Sequence, residues 1–371
     1  MQFNSIKLIC EISNIDNSNG GIITMKKIFA LALAAAMAMS MVACGSSEPA
    51  APAEPEVYKT GMGTVISASV TEEDAENEKG ASAQINTNIV VATFDKDGKV
   101  VSATIDVAQQ KAAFDMDGKA AGEVDLRTKC EKGDDYGMRG VSAIGKEVNE
   151  QYAALAEYFV GKTVEEIKAM PTFERDANHT AVPDVEELKA SVTITVADYV
   201  AALEEAYNTA VETAGVPAKT GLGTVISASV TEEDKENEKG ASAQINTNMM
   251  AVALDENGVI VAAILDVAQQ KAAFDLEGKL AGEVDLRTKV EKEGDYGMKG
   301  VSAIGKEYYE QAKAFTDWMV GQTVEEVLAM PTYERDASHT ACPDVEDLKA
   351  SVSITVGDYL EALKEAAAMA K

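Results

Sequence analysis

The chain has 371 residues, with 33 Lys and Arg against 62 Asp and Glu, a formal charge of -29, 46% hydrophobic residues and four cysteines. That charge excludes nucleic acid as a partner, because backbone recognition needs a basic surface, and the apolar content excludes a disordered acidic tail. The length suits about two domains of ordinary size, each able to bury a core without disulfides.

Residues 1–24 are polar and asparagine-rich, show no periodicity and precede a complete export signal, so they read as an upstream extension from a misplaced start. Residues 25–43 open with Met25-Lys26-Lys27 and continue as an apolar run that ends in small residues. A run too short to cross ~30 Å of hydrocarbon comfortably, behind two positive charges, is a secretory signal. Met41-Val42-Ala43-Cys44 resembles a bacterial lipobox. That resemblance implies cleavage before Cys44 and acylation of its thiol, which places the protein on the extracytoplasmic face of the cell membrane. Acyl chains would then supply the membrane affinity, at about 0.8 kcal/mol per buried CH₂. Residues 44–58 are rich in Pro, Ala and Glu and read as an extended tether.

The rest is one text written twice. TGMGTVISASVTEED, starting at Thr60, returns as TGLGTVISASVTEED starting at Thr220, an offset of 160 positions that holds without a gap to the end. About two thirds of positions are identical, which is a duplicated domain rather than a short-period solenoid. The copies span residues 59–211 and 220–371, joined by the linker 212–219 (ETAGVPAK). Within a copy, residues 64–70 and 83–94 carry β-branched alternation, and Asp95-Lys96-Asp97-Gly98 is a hairpin turn leading into VVSATIDV. A second turn falls at Asp115-Met116-Asp117-Gly118. Helical spacing begins in EVNEQYAALAEYFV, and Thr163-Val164-Glu165-Glu166 and Thr195-Val196-Ala197-Asp198 fit capping boxes for two further helices. The expected class is α+β: two tandem copies, each an antiparallel sheet with helices in its C-terminal half.

Chemistry-bearing residues are sparse. The two histidines, His179 and His339, are equivalent and read either as acid/base groups or metal ligands, or as loop histidines capping backbone carbonyls. Cys130 aligns with Val290 and Cys342 with Val182, so both read as small buried residues, a Cys130–Cys342 bridge being the alternative in an exported protein. No phosphate loop, zinc spacing or nucleophile elbow appears, and no catalytic residue is assigned. What recurs is a polar block containing Arg127, Lys129, Tyr136 and Met138, repeated as Arg287, Lys289, Tyr296 and Met298. Its cations, with Lys146 and the N–H groups of its glycine turns, are candidates for holding an anion.

The order D-x-D-G-x-[VI]-x-x-A-x-x-D (95–106), then T-K, Y-G-M, a helix and LKASVTIT before a last helix resembles the FMN-binding domain of exported flavoproteins and electron-transfer lipoproteins. The resemblance implies FMN, attached through a hydroxyl by a flavin transferase. It places Ser191 and Ser351 at the acceptor position, with Thr193 and Ser353 two residues on, and Tyr136, Met138, Tyr296 and Met298 beside the ring. The function implied is electron relay between membrane redox proteins and outside acceptors. The alternative is a cofactor-free surface-binding lipoprotein on the same fold, of the kind that major membrane immunogens resemble.

Overall fold

The computed structural model describes residues 56–371; residues 1–55, which hold the upstream extension, the signal, Cys44 and most of the tether, lie outside the described residues. Three long antiparallel strands open the first repeat: β1 (Lys59–Thr71), β2 (Ser82–Phe94) and β3 (Val100–Ala113). β2 lies between the other two, with Gly63 opposite Val90 and Asn88 opposite Val107. The β2–β3 turn closes as the aspartate and glycine spacing predicts. Asp95 Oδ1 accepts from the N–H groups of Asp97 and Lys99, both at 2.9 Å, and Gly98 takes φ 75°. The turn at Asp115 is built the same way.

Four helices and a short strand pair follow the sheet: α1 (Lys129–Lys132), α2 (Val148–Phe159), α3 (Val164–Lys168), β4 (Thr172–Phe173) with β5 (Val182–Pro183), and α4 (Ala197–Asn208). α2 buries Val148, Tyr152, Leu155 and Phe159, one stripe at helical spacing. Thr163 caps α3 reciprocally with Glu166, as expected. The box at Thr195 does not form. α4 starts after Val196, Thr195 Oγ1 is buried without a hydrogen bond, and the Asp198 carboxylate accepts from Asn88 Nδ2 at 3.4 Å instead. A tertiary contact has taken the acid that would have closed the box.

β6 (Val211–Glu212) adds to the edge of β1, and the chain re-enters the same order as β7 (Lys219–Thr231), β8 (Ser242–Leu254), β9 (Ile260–Ala273), α5 (Tyr308–Met319), α6 (Val324–Leu328), β10 (Thr332–Tyr333), β11 (Cys342–Pro343) and α7 (Gly357–Met369). The class is α+β. The segment 212–219 is tied at both ends: Thr213 N–H donates to Tyr58 O and Ala218 N–H to Leu254 O.

The two sheets stack face to face. Val90, Ala92 and Phe94 of β2 pack under α2 and α4, while Ile89 and Val91, with Met62, meet Leu222, Met249, Ala251 and Ala268 of the other repeat. Residues 89–94 of β2 are therefore covered on both faces, and there the sequence runs largely apolar (IVVATF) instead of keeping the alternation expected over 83–94. The layers are helix, sheet, sheet, helix. At one end of the stack Phe114 meets Phe274 edge to face at 5.7 Å among small alanines. At the other, Thr60, Thr93, Thr220 and Ser102 join hydroxyl to hydroxyl at 2.9, 2.8 and 3.0 Å. Reciprocal backbone bonds clasp the pair, Glu73 N–H to Gly278 O and Glu233 N–H to Gly118 O, both 3.0 Å.

α4 lies almost on the backbone of β1. A Cβ on Gly63 would stand 2.0 Å from the carbonyl oxygen of Ala202, and one on Gly61 1.7 Å from that of Ala206. Gly63→Ala should therefore cost about 3 kcal/mol or prevent folding, since overpacking against backbone has no soft partner to yield. Gly140→Ala, with nothing within 4 Å of its Cβ, should stay within about 0.5 kcal/mol of wild type in urea unfolding.

Candidate functional site

The block that the sequence singles out is gathered around a side chain that it does not. Gln151 of α2 is fully buried; its Oε1 accepts from Thr193 N–H at 2.8 Å, and its Nε2 donates to Met138 Sδ and to the Lys146 carbonyl. Gln311 repeats this with Ser353, Met298 and Lys306. Met138, Thr193 and their counterparts thus come together, and Tyr136 and Tyr296 pack against the same cores. A glutamine inside an amphipathic helix gives no outward signal of such a hub.

Of the expected anion donors, both arginines and the Tyr-Gly-Met turn amides are already engaged, whereas Lys129, Lys146 and Lys289 make no ion pair among the described residues. Glu147 is buried and accepts from Met138 N–H at 3.0 Å and Arg139 N–H at 2.6 Å, so the Tyr-Gly-Met turn spends those amides internally. Arg127 donates to Asp125 through two nitrogens and to Asp135 at 2.8 Å, and these bonds hold the Asp125 carboxyl at about 2. Arg287 is spanned in the same way by Asp285 and Asp295. Lys129 lies 5.2 Å from the Tyr136 ring; Lys289 lies between the rings of Tyr296 and Tyr308, at 5.3 and 5.1 Å, and burial pulls its ammonium down to about 8. The Ser191 and Ser351 hydroxyls donate to the carbonyls of Leu188 and Leu348. His179 holds Asp176 through Nδ1 at 2.7 Å and does not cap a carbonyl, and among the described residues no group of three acidic, Cys or His side chains could hold a metal. Cys130 and Cys342 are both free.

Two large concavities lie elsewhere, where the repeats meet. One, of about 850 Å³, runs along residues 101–106 of β3 and the outer face of α2 and is closed by the start of β7 and the end of α7. The other, of about 760 Å³, is its counterpart, with residues 261–266 of β9 and α5 facing Met62 and the end of α4. Such volumes are those of small-molecule sites. None of the residues expected to hold a cofactor lines either cleft, although their neighbours Cys130, Glu131, Val290 and Glu291 do.

Each cleft has a carboxylate at its base and another on the opposing repeat. Asp106 is only 9% exposed; its Oδ1 accepts from Val107 N–H at 2.6 Å and Cys130 N–H at 3.1 Å, yet burial raises its pKa. Asp266 makes the equivalent bonds to Val267 and Val290, and burial pushes it up to about 7. Across the wall, Glu365 accepts from Thr224 N–H at 2.9 Å and is pushed up to about 7, by burial first and then by Glu131 and Asp106. Glu205 accepts from Thr64 N–H at 2.7 Å and is raised by burial, with Glu291 adding to it. The repeats differ here: buried Tyr152, its hydroxyl 3.0 Å from that of Tyr199, has Ala312 as its counterpart, the buried tyrosine of the second repeat stands one turn earlier at Tyr308, and Asn149 of the larger cleft is matched by Tyr309 in the smaller.

No family model matches the chain, and no solved structure matches significantly. One curated protein does: a chlorophenol reductase of Desulfitobacterium hafniense, 35% identical over 108 residues, which make up 25% of this chain and 33% of that protein. The chain thus spans about a third of that relative's length.

Because the folded-state pKa of Asp266 stands above the ordinary carboxylate value of 3.8, its contribution to stability is full below about pH 4 and is lost as pH rises through about 7. Asp266→Asn keeps an acceptor for the two N–H groups. Thermal melts from pH 4 to 8 should show a shallower decline in Tm for this variant than for wild type; an unchanged slope would mean that Asp266 ionises freely in the folded state.

Proposed function

We propose that this chain is a lipid-anchored, extracytoplasmic binding protein that offers two ligand clefts, each completed by both repeats. The pair of equivalent concavities between the repeats is the observation that carries this reading. A cleft whose floor comes from one repeat and whose far wall comes from the other exists only in the assembled stack, so the sheet packing that stabilises the fold also builds the site.

The flavin reading asks for donors to a phosphate dianion, and the strongest of the expected ones are already spent. Arg127 and Arg287 are each spanned by two carboxylates, and the turn amides are held by Glu147 and Glu307. A phosphate charge about 5 Å from one cleft carboxylate would be opposed by roughly 3 kcal/mol at an effective dielectric near 20. The reductase likeness covers too little of either chain to bring that protein's activity here.

Two measurements test this reading. Co-expression with a flavin transferase should yield a protein with no flavin absorption band; a band accompanied by a mass gain at Ser191 or Ser351 would replace the binding-protein reading with a flavoprotein. Metabolic labelling with a palmitate analogue should mark the wild type and not Cys44→Ser, which should appear in the soluble fraction; labelling that survives the substitution would remove the anchor.

A further inference from the structure

We infer that each inter-repeat cleft takes an organic cation, an ammonium carried on an apolar body. This inference rests on the binding-protein reading above and assigns its ligand class.

Three features of the clefts converge on that chemistry. The first is an apolar bed: Ala103, Ile105, Ala156 and Leu222 in the larger cleft, Ala263, Leu265, Val290 and Ala312 in the smaller. The second is a tyrosine ring in the smaller cleft, the partly exposed Tyr309; Tyr152, beside the larger cleft, is only 1% exposed. An aromatic face beside aliphatic wall is the setting in which ammonium groups are held by cation–π attraction. The third is charge. Six carboxylates and one lysine line the smaller cleft, and that lysine, Lys313, is already bound to Asp317 at 2.7 Å. Five carboxylates and two lysines line the larger.

The placement of those acids matters more than their number. Glu205 and Glu365 stand on the last turns of α4 and α7, opposite the Asp266–Glu291 and Asp106–Glu131 pairs of the other repeat. Each spends one oxygen on a strand N–H, and its other oxygen makes no hydrogen bond among the described residues. In the smaller cleft the one lysine is already paired, so carboxylates facing one another across a partly desolvated gap repel; in the larger, Lys219 and Lys371 offset part of that repulsion. A ligand ammonium would relieve that repulsion while its apolar portion covers the bed. The same field rejects dicarboxylates and phosphates. Because the smaller cleft exposes the Tyr309 ring and the larger carries Lys219 and Lys371, the two affinities should be unequal.

Isothermal titration of the full mature chain carrying Cys44→Ser decides the matter. The probes are benzyltrimethylammonium and 1,6-diaminohexane as cations, hexanedioate as an anion and benzyl alcohol as a neutral probe. The expected result is two sites per chain for a cation and none for hexanedioate. Glu205→Gln and Glu365→Gln, which preserve the acceptor for Thr64 and Thr224 N–H, should each weaken one site about tenfold and leave the other unchanged. Cation binding indifferent to both substitutions would be general attraction to an acidic surface and would overturn the site. Binding of hexanedioate or benzyl alcohol in the clefts, with no cation binding, would overturn the ligand class and leave the binding-protein reading standing. Failure of every probe would overturn the inference, and a flavin adduct would overturn both.

Discussion

Burial of the central strands on both faces is the constraint on which the molecule depends. Ile89 and Val91 face the other sheet, and Val90, Ala92 and Phe94 face the helices; Met249 through Leu254 repeat the arrangement. Each large side chain removed from water in this way contributes about 1.5–3 kcal/mol. A single repeat would leave one of these faces open to water. The close seating of α4 on β1, possible because Gly61 and Gly63 carry no Cβ, follows from the same demand for thin layers. So does the alanine-rich end of the stack around Phe114 and Phe274.

The electrostatics divide into two groups with different consequences. Most ion pairs are exposed, such as Lys96 with Asp97 or Lys189 with Glu186, and contribute little each. The carboxylates at the clefts are another matter, because partial burial penalises their charged form. Asp106 and Asp266 are each held by two backbone amides, and Glu205 and Glu365 each cap an amide on an edge strand. Capping an edge N–H also discourages further strands from adding there. These acids therefore combine a structural task with a charge that faces the clefts.

Strand and helix identities were legible wherever the signal is local. Asp95-Lys96-Asp97-Gly98 announces its hairpin because one carboxylate and one glycine suffice to close it, and Thr163 with Glu166 announces α3 for the same reason. Thr195 misled because the outcome depended on Asn88, 110 positions away from Asp198. Gln151 was invisible, since a buried glutamine differs from an exposed one only in what surrounds it. The clefts were beyond reach for a related reason: Glu365 and Asp106 belong to different repeats, and nothing local says that they share a wall. The polar block, conspicuous because it recurs, proved to be largely self-satisfied, with Arg127, Glu147 and Gln151 bonding neighbours within the repeat.

The shift of tyrosine from position 152 in one repeat to position 308 in the other carries a consequence for how such a molecule can change. In a symmetric pair of identical chains, every substitution lands in both sites at once, and a variant that improves one ligand contact imposes itself on its twin. Here both halves lie on a single polypeptide, so each cleft can drift separately while the shared sheet contact is kept. Exchange of Tyr152 for Ala312 at the equivalent place, with Asn149 against Tyr309 beside it, is what such independent drift looks like. Linking the halves covalently thus frees the linings of the two clefts from one another.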